Sequence, residues 1–215
     1  MNLNEIKGAV FDLDGTLLDS MWVWVYVDEV FLERHGLPYD PDYLTTLGPM
    51  GFHRAAVYTK DYFNMSDSVE DILQEWFLLA QDAYDNKIML KDGVYEYLHS
   101  LKERGVKIAA ATSNHPDLFK GTLRRCGIYD CFDAFTVTSE VERNKDHPDV
   151  YLLAAERIGT LPEETAVFED ILSGIRGANK GGFYTVGVEE ESAKGERVAI
   201  QAEANLYIKS FRELL

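Results

Sequence analysis

Short apolar runs that end abruptly in polar residues recur along the chain, and they constrain its fold more than any other feature. The clearest three are "IKGAVFDLD" (6–14), "VKIAAATSN" (106–114) and "TAVFEDILSG" (165–174). Three further candidates are "AFTVTSE" (134–140), "FYTVGVE" (183–189) and "ANLYI" (204–208). Apolar runs of this length, bounded by turn residues, are typical of buried β-strands.

Helical patterns separate these runs from residue 91 onwards. The segments are "GVYEYLHSLKERG" (93–105), "PDLFKGTLRRCG" (116–127) and "PDVYLLAAERIG" (148–159). The last two open with Pro-Asp and all three stop at a glycine, which is the usual asymmetry of helix starts and ends. This alternation predicts an α/β fold, a Rossmann-like parallel sheet with helices on both faces.

Residues 20–88 differ, because they show helix-like patterns and no convincing strand. The one ambiguous segment is "MWVWVYV" (21–27), whose alternation would also suit a strand. We therefore predict two domains: an α/β core made of residues 1–18 and 89–215, and a helical insertion of residues 19–88 after the first strand. Hinges are expected near residues 17–20 and 86–91.

The charge balance limits the possible partners. The chain carries 37 Asp and Glu against 21 Lys and Arg, a formal charge of −16. Nucleic acids and anionic membranes are themselves negative, so neither is expected to bind. The longest apolar run is far below the ~20 residues of a membrane helix, the N-terminus lacks a signal-peptide pattern, and two cysteines are too few for a disulfide framework. We expect a cytoplasmic protein, a monomer or weak dimer.

Ligands of open parallel sheets bind beyond the carboxyl ends of the strands, so the polar residues that end each run are expected to converge. Carboxylates packed together are tolerable around a divalent cation, and hard oxygen ligands suit Mg²⁺. A lysine, a hydroxyl and backbone amides would bind an anion beside it. The converging residues are Asp12, Asp14, Thr112, Ser113, Asn114, Lys145, Glu169 and Asp170. Together they predict a phosphoryl-transfer site.

Each of these features also has an ordinary structural interpretation. Asp12 and Asp14 suit a turn with an Asx cap, and Thr112 suits a helix cap. Lys145 would then be a solvated loop lysine, and Glu169 and Asp170 would favour the N-terminus of the next helix. The occurrence of all four features in one chain favours function over structure.

Four segments, "DLDGTLLDS", "ATSN", "NKDHPD" and "FEDILSGIRGA", resemble the ordered motifs of the haloacid dehalogenase superfamily, and most closely its β-phosphoglucomutase-like phosphatase branch. The resemblance implies a Mg²⁺-dependent phosphatase that hydrolyses a small phosphomonoester, a sugar phosphate or a nucleotide, through an aspartyl-phosphate. It also implies that the helical insertion is a cap domain.

The resemblance assigns roles to individual residues. Asp12 corresponds to the nucleophile and Asp14 to the general acid and base. Mg²⁺ would be held by the side chain of Asp12, the main-chain oxygen of Asp14 and the side chain of Asp170, with help from Glu169. The phosphoryl oxygens would be held by Thr112, the amide of Ser113 and Lys145.

The cap is expected to contact the leaving group. The segment "TLGPMGFHRAA" (46–56) offers Gly48, His53 and Arg54 as substrate residues, although an ordinary helix entry explains the same pattern. Three nearby aromatic residues, Trp22, Trp24 and Tyr26, are predicted to form the core of the insertion rather than line a cavity.

Departures from the family pattern bear on the reaction. True mutases of the branch carry a cap histidine, arginine and lysine, which hold a second phosphate. Here Trp24 stands near the histidine position, Arg54 matches only approximately, and "LLAQDAYDN" (78–86) has no equivalent lysine. In addition, Asp146 follows Lys145 where a proline is common. Hydrolysis is therefore favoured, while a β-phosphoglucomutase-type mutase, a metal-free dehalogenase and a non-catalytic phosphate-binding protein stay open as alternatives.

Overall fold

The protein divides into two compact units in a computed structural model that describes residues 3–47, 50 and 52–215. One unit combines Met1–Met21 with Ile88–Leu215, and the other is Trp22–Lys87. The strands are β1 (Gly8–Phe11), β2 (Leu18–Asp19), β3 (Met89–Leu90), β4 (Lys107–Thr112), β5 (Ala134–Val137), β6 (Thr165–Glu169), β7 (Tyr184–Val188) and β8 (Leu206–Ile208). The helices are α1 (Val23–Arg34), α2 (Pro41–Leu47), α3 (Phe52–Phe63), α4 (Val69–Asn86), α5 (Val94–Glu103), α6 (Pro116–Arg125), α7 (Asp149–Ile158), α8 (Leu172–Lys180) and α9 (Arg197–Glu203).

The first unit is built on a six-stranded parallel sheet in the order β5-β4-β1-β6-β7-β8. The α/β fold predicted from the alternation is confirmed, and all six candidate runs are strands of this sheet. The chain leaves β1, adds β4 and β5 on one side, and then returns to add β6 on the other. The strand order therefore reverses around β1, which is the topological switch point where ligands bind in such sheets.

The register of the central strands determines where along the sheet the polar residues after each strand lie. Phe11 at the end of β1 lies opposite Ala110 of β4 and Phe168 of β6. The next residue of each chain segment, including Asp12 and Glu169, is therefore at the same edge of the sheet.

Helices and a ring cluster cover the two faces of the sheet. On one face, Val10 and Val167 pack against Tyr151 and Ala154 of α7. Phe11 points the other way, because successive side chains of a strand alternate. It stacks on Phe168 with ring centroids 4.4 Å apart, and Tyr97 of α5 and Phe211 complete the cluster. Both faces of β1 are thus buried, as its continuous apolar sequence predicts.

Two short strands are absent from the sequence-based prediction. Strands β2 and β3 pair antiparallel, with Leu18 opposite Leu90, and they adjoin the two points where the chain passes between the units. Each has only two residues, too few for a periodic pattern to indicate them.

The second unit consists of α1–α4, with α1 and α3 packed on α4. The ambiguous segment "MWVWVYV" is helical from Val23. The buried residues of α1 are Val23, Val27, Phe31 and Leu32. The core prediction is wrong for Trp22 and Trp24, because the helical period turns Val23 and Val27 inward and leaves these two residues 36% and 43% exposed. Tyr26 is half-buried.

A capping box begins α4. Ser68 accepts a hydrogen bond from the Asp71 backbone amide, and the Asp71 carboxylate accepts one from the Ser68 amide. Among the described helices, none has both the length and the apolar composition needed to cross a membrane.

Candidate active site

The ends of three neighbouring strands bring the predicted site residues together. Asp12 follows β1 directly, and its backbone amide donates to the carbonyl of Phe168 in β6 at 3.0 Å. Thr112 is the last residue of β4 and Glu169 the last of β6, with Asp170 next in the chain. The parallel sheet therefore assembles residues that are more than 150 positions apart in sequence.

Three carboxylates form a buried cluster at this edge. Asp12, Glu169 and Asp170 each offer an oxygen within 4.8 Å of the others, and they are 6%, 0% and 1% exposed. Burial raises the pKa of Asp12 well above its usual value, and Glu169 and Asp170 add to the rise while Lys145 opposes it. Burial, and next the charge of Glu169, raises the pKa of Asp170 to about 7. The cluster therefore lacks positive charge, even with the lysine in place.

That lysine, Lys145, lies between two of the acids. Its Nζ contacts Oδ1 of Asp12 and donates to Oε1 of Glu169 at 2.7 Å. Burial by itself would lower the pKa of Lys145, but Asp12 and Glu169 raise it above the usual lysine value. The ammonium group is therefore held in its charged form.

Two oxygens of the cluster lack a hydrogen-bond donor among the described residues. Oε2 of Glu169 and Oδ2 of Asp170 are buried and accept no hydrogen bond from the described residues. Leaving such atoms unpaired is costly, and an all-oxygen set of carboxylates suits a hard cation such as Mg²⁺. Asp12, Glu169 and Asp170 therefore fit a divalent cation.

Glycines allow the close approaches on which the cluster depends. Gly15 has a φ of +80°, and a Cβ there would lie 2.3 Å from Oδ2 of Asp170. A Cβ on Gly177 in α8 would lie 1.9 Å from the carbonyl oxygen of Lys145. The absence of a side chain at Gly177 therefore lets α8 pack directly against the backbone of Lys145.

Two residues that sequence reasoning missed hold the acids in place. Thr16 donates from Oγ1 to Oδ1 of Asp170 at 3.0 Å. The hydroxyl of Tyr151 donates to Oε1 of Glu169 at 2.8 Å. Both side chains are fully buried. The available signals were the threonine of "DGT" and the position of Tyr151 on the apolar face of α7.

The carboxylate of Asp14 lies outside the acidic cluster. Its Oδ1 accepts from Ser20 Oγ at 2.7 Å, and its Oδ2 accepts from Asn114 Nδ2 at 2.8 Å. The backbone amide of Asn114 also donates to Oγ1 of Thr112 at 3.0 Å, which joins the end of β4 to the same network. Thr112 is buried and Ser113 is exposed. The roles assigned to Asp14, Thr112 and Ser113 stay predictions.

The predicted substrate residues of the insertion belong to the helical unit. His53 and Arg54 lie in the first turn of α3 and are exposed. Gly48 lies outside the described residues. Their contact with a substrate stays a prediction.

Comparisons with known proteins agree with this geometry. A sequence profile described as "Haloacid dehalogenase-like hydrolase" matches residues 9–188. The chain is 25% identical over 204 residues to the phosphorylated carbohydrates phosphatase of Thermotoga maritima, a match that covers 95% of this chain and 94% of that protein. It is 28% identical over 215 residues to the validoxylamine A 7'-phosphate phosphatase of Streptomyces hygroscopicus subsp. limoneus, with 97% and 95% covered.

A solved structure gives the same result for the fold. A Thermotoga maritima protein provisionally assigned as a β-phosphoglucomutase superposes with a TM-score of 0.84 at 26% identity. The match covers 95% of this chain and 94% of that one.

Proposed function

Because the chain belongs to the haloacid dehalogenase-like hydrolases, as its motifs indicate, we propose that it is a Mg²⁺-dependent phosphatase that hydrolyses a small phosphomonoester through an aspartyl-phosphate. The observation that carries this proposal is the buried set of Asp12, Lys145, Glu169 and Asp170, in which two carboxylate oxygens have no partner in the described part of the chain. A purely structural role would not require so costly an arrangement.

Asp12 is the proposed nucleophile. A carboxylate oxygen of Asp12 bonds to phosphorus while the bond from phosphorus to the ester oxygen breaks. Asp14 supplies a proton to the departing alkoxide and afterwards takes a proton from the water that attacks the aspartyl-phosphate. That second step releases inorganic phosphate and restores Asp12.

The remaining residues offset the negative charge of the nucleophile and of the phosphoryl group. An anionic nucleophile and an anionic phosphoryl group repel each other, so positive charge between them lowers the barrier. Lys145 supplies one fixed positive charge against Asp12, and Thr112 with the amide of Ser113 would hold phosphoryl oxygens. This local positive charge would attract an anionic phosphate ester even though the whole chain carries a net charge of −16.

A divalent cation completes this arrangement. Asp12 and Asp170, with the main-chain oxygen of Asp14 and support from Glu169, would hold Mg²⁺. When bound, Mg²⁺ supplies Lewis-acid stabilisation of the charge on the transferring phosphoryl group.

The names of the relatives support the substrate class. Two of them are phosphatases whose names specify a phosphorylated carbohydrate and a phosphorylated small molecule. We therefore place a small phosphorylated metabolite, with a sugar phosphate first, as the substrate. The helical unit is the proposed cap domain, and cytoplasmic location and a monomeric or weakly dimeric state stay predictions.

The test is phosphate release from p-nitrophenyl phosphate and from a panel of sugar phosphates and nucleotides, with Mg²⁺ present. We expect turnover of at least one ester, a fall of at least about 100-fold in EDTA, and recovery when Mg²⁺ is restored. Activity that survives EDTA unchanged would contradict the Mg²⁺ dependence, and no turnover of any ester would contradict the phosphatase.

The same panel separates the alternatives. Conversion of a hexose 1-phosphate to the 6-phosphate would identify a mutase, and turnover of a 2-haloacid in EDTA would identify a dehalogenase. A phosphate-binding protein without activity would bind phosphate esters and release nothing.

Tyr151→Phe tests how Glu169 is positioned. Removing the hydroxyl leaves Glu169 with Lys145 as its only hydrogen-bond donor among the described residues, so its carboxylate is less firmly oriented. Outer partners of metal ligands typically contribute about 10- to 100-fold, and we expect a rise of about tenfold in the Mg²⁺ concentration that half-saturates activity. The matched control is Tyr97→Phe, because the Tyr97 hydroxyl is equally buried in the same unit but has no hydrogen-bond partner among the described residues. Equal Mg²⁺ requirements in the two variants would contradict the role of Tyr151.

A further inference from the structure

The helical unit contains a cavity of about 390 Å³ that the proposed hydrolysis does not use. Every described residue that lines it lies between positions 24 and 76, so it belongs to this unit alone. Its walls are mostly apolar, and its main lining residues are Trp24, Asp28, Leu44, Leu47, Phe52 and Trp76. An apolar cavity with few polar groups is the usual form of a small-molecule site.

One carboxylate stands in this apolar wall. Asp28 of α1 is half-buried, and it accepts no hydrogen bond and forms no ion pair within the described part of the chain. Burial, together with the charge of Glu29 beside it, raises the pKa of Asp28 to about 6. Holding an unpaired carboxylate against apolar walls is unfavourable. Asp28 is therefore a group that would gain from a positively charged ligand.

Aromatic rings form a continuous wall of the cavity. The ring of Phe52 lies 5.4 Å from that of Trp24 and 5.5 Å from that of Trp76, measured between centroids. The faces of aromatic rings attract cations, tryptophan most strongly. The aromatic wall and the carboxylate of Asp28 therefore both favour a positively charged ligand.

The charges around the cavity also favour a positively charged ligand. No Lys, Arg or His is among the described residues that line the cavity. Over residues 22–87 the sequence has twelve Asp and Glu against four Lys and Arg, a net charge of −8. The unit therefore attracts cations and repels anions, including a second phosphate group.

From this combination we propose that the cavity of the helical unit binds an organic ammonium ion carried on an apolar or aromatic body. The ammonium group pairs with Asp28, and the body packs on Trp24, Phe52 and Trp76. A dry cavity of about 150 Å³ is enough for a benzene ring, so this one has room for a ring with a short side chain. The ammonium compound is therefore a ligand of the helical unit by itself.

Tryptophan emission reads this cavity directly. The chain has three tryptophans, Trp22, Trp24 and Trp76; all lie in the helical unit, and two line the cavity. We expect titration of the full chain with 2-phenylethylammonium to change the emission in a saturable way. The charge-reversed control, 3-phenylpropionate, has the same ring and should produce no saturable change at equal concentrations.

Two variants localise the binding. Asp28→Asn should weaken 2-phenylethylammonium binding by at least about tenfold, since a charge-assisted hydrogen bond is lost. Glu29→Gln changes the adjacent exposed acid and should leave the affinity within about twofold. Absence of saturable binding, equal binding of the phenylpropionate, or full affinity in Asp28→Asn would each overturn the proposal.

Because the emission titration contains no phosphate ester, failure of the phosphatase proposal would leave its result intact.

Discussion

Replacing Asp12 with asparagine is expected to lower kcat for phosphate release by at least about 10⁴-fold, the scale seen when a catalytic nucleophile is removed. The amide has the size of the carboxylate but is far too weak a nucleophile to attack phosphorus. The fold should persist, because Asp12 is one of three crowded carboxylates and its removal relieves repulsion from Glu169 and Asp170. The measurement is phosphate release with saturating Mg²⁺, alongside a thermal unfolding curve.

Asp19→Asn is the matched control. Asp19 is an acid of the same "DLDGTLLDS" segment, but it is exposed in β2 and lies outside the acidic cluster. We expect its activity to stay within about threefold of the wild-type value. An Asp12→Asn protein that is folded and still hydrolyses the ester would refute the assignment of the nucleophile.

Lys145→Ala is expected to damage both stability and catalysis. The lysine is buried between Asp12 and Glu169, so its removal leaves buried carboxylates without their positive partner. Breaking a buried ion pair in this way costs about 3–5 kcal/mol of unfolding free energy, which corresponds to a fall of about 10 °C in Tm for a protein of this size. Loss of a charge that stabilises the phosphoryl transition state should also lower kcat by about 10²- to 10³-fold.

The loss of stability in Lys145→Ala is expected to become smaller as the pH falls. The pKa values of Asp12 and Asp170 are already raised by burial, that of Asp170 to about 7, and they should rise further without the lysine. As the pH falls from 8 to 6, the unpaired carboxylates take up protons and their repulsion disappears. The difference in Tm between wild type and Lys145→Ala, measured in EDTA, should therefore narrow over that range.

Two control variants separate the contributions. Lys7→Ala removes a lysine whose ion pair with Glu164 is exposed, and its Tm should hardly change. Lys145→Arg keeps the charge in a larger group, so it should recover part of the stability but little of the activity. A Lys145→Ala protein with wild-type Tm and kcat would refute the central place of this lysine.

The α/β fold and the location of the site were predictable from local patterns. Each strand of the parallel sheet is a short apolar run that ends in polar residues, and its periodicity is visible within a few residues. The sheet geometry then follows from the preference of parallel strands for buried positions. Asp12, Glu169 and Asp170 could be grouped from the sequence, since they end or directly follow parallel strands whose carboxyl ends lie at the same edge of the sheet.

The predictions that failed concern orientation. The sequence predicts Trp22 and Trp24 in the core of the helical unit, yet α1 turns Val23 and Val27 inward and leaves both tryptophans exposed. Strands β2 and β3 carry no pattern because they exist only through their pairing with each other. In both cases the structure depends on contacts between segments that are far apart in the sequence, and a local pattern carries no information about such contacts.

By itself, then, the order of residues determined the alternating elements, the parallel sheet and the set of acids at its edge, because periodicity and turn chemistry act over short stretches of chain. Only the tertiary structure decided which oxygens of Glu169 and Asp170 lack a donor among the described residues and that Tyr151 and Thr16 donate to the others. It also decided that Asp28 is the charged residue among the described residues that line the cavity. Those facts depend on contacts between distant segments, whose distances and burial are set by packing and not by any pattern along the chain.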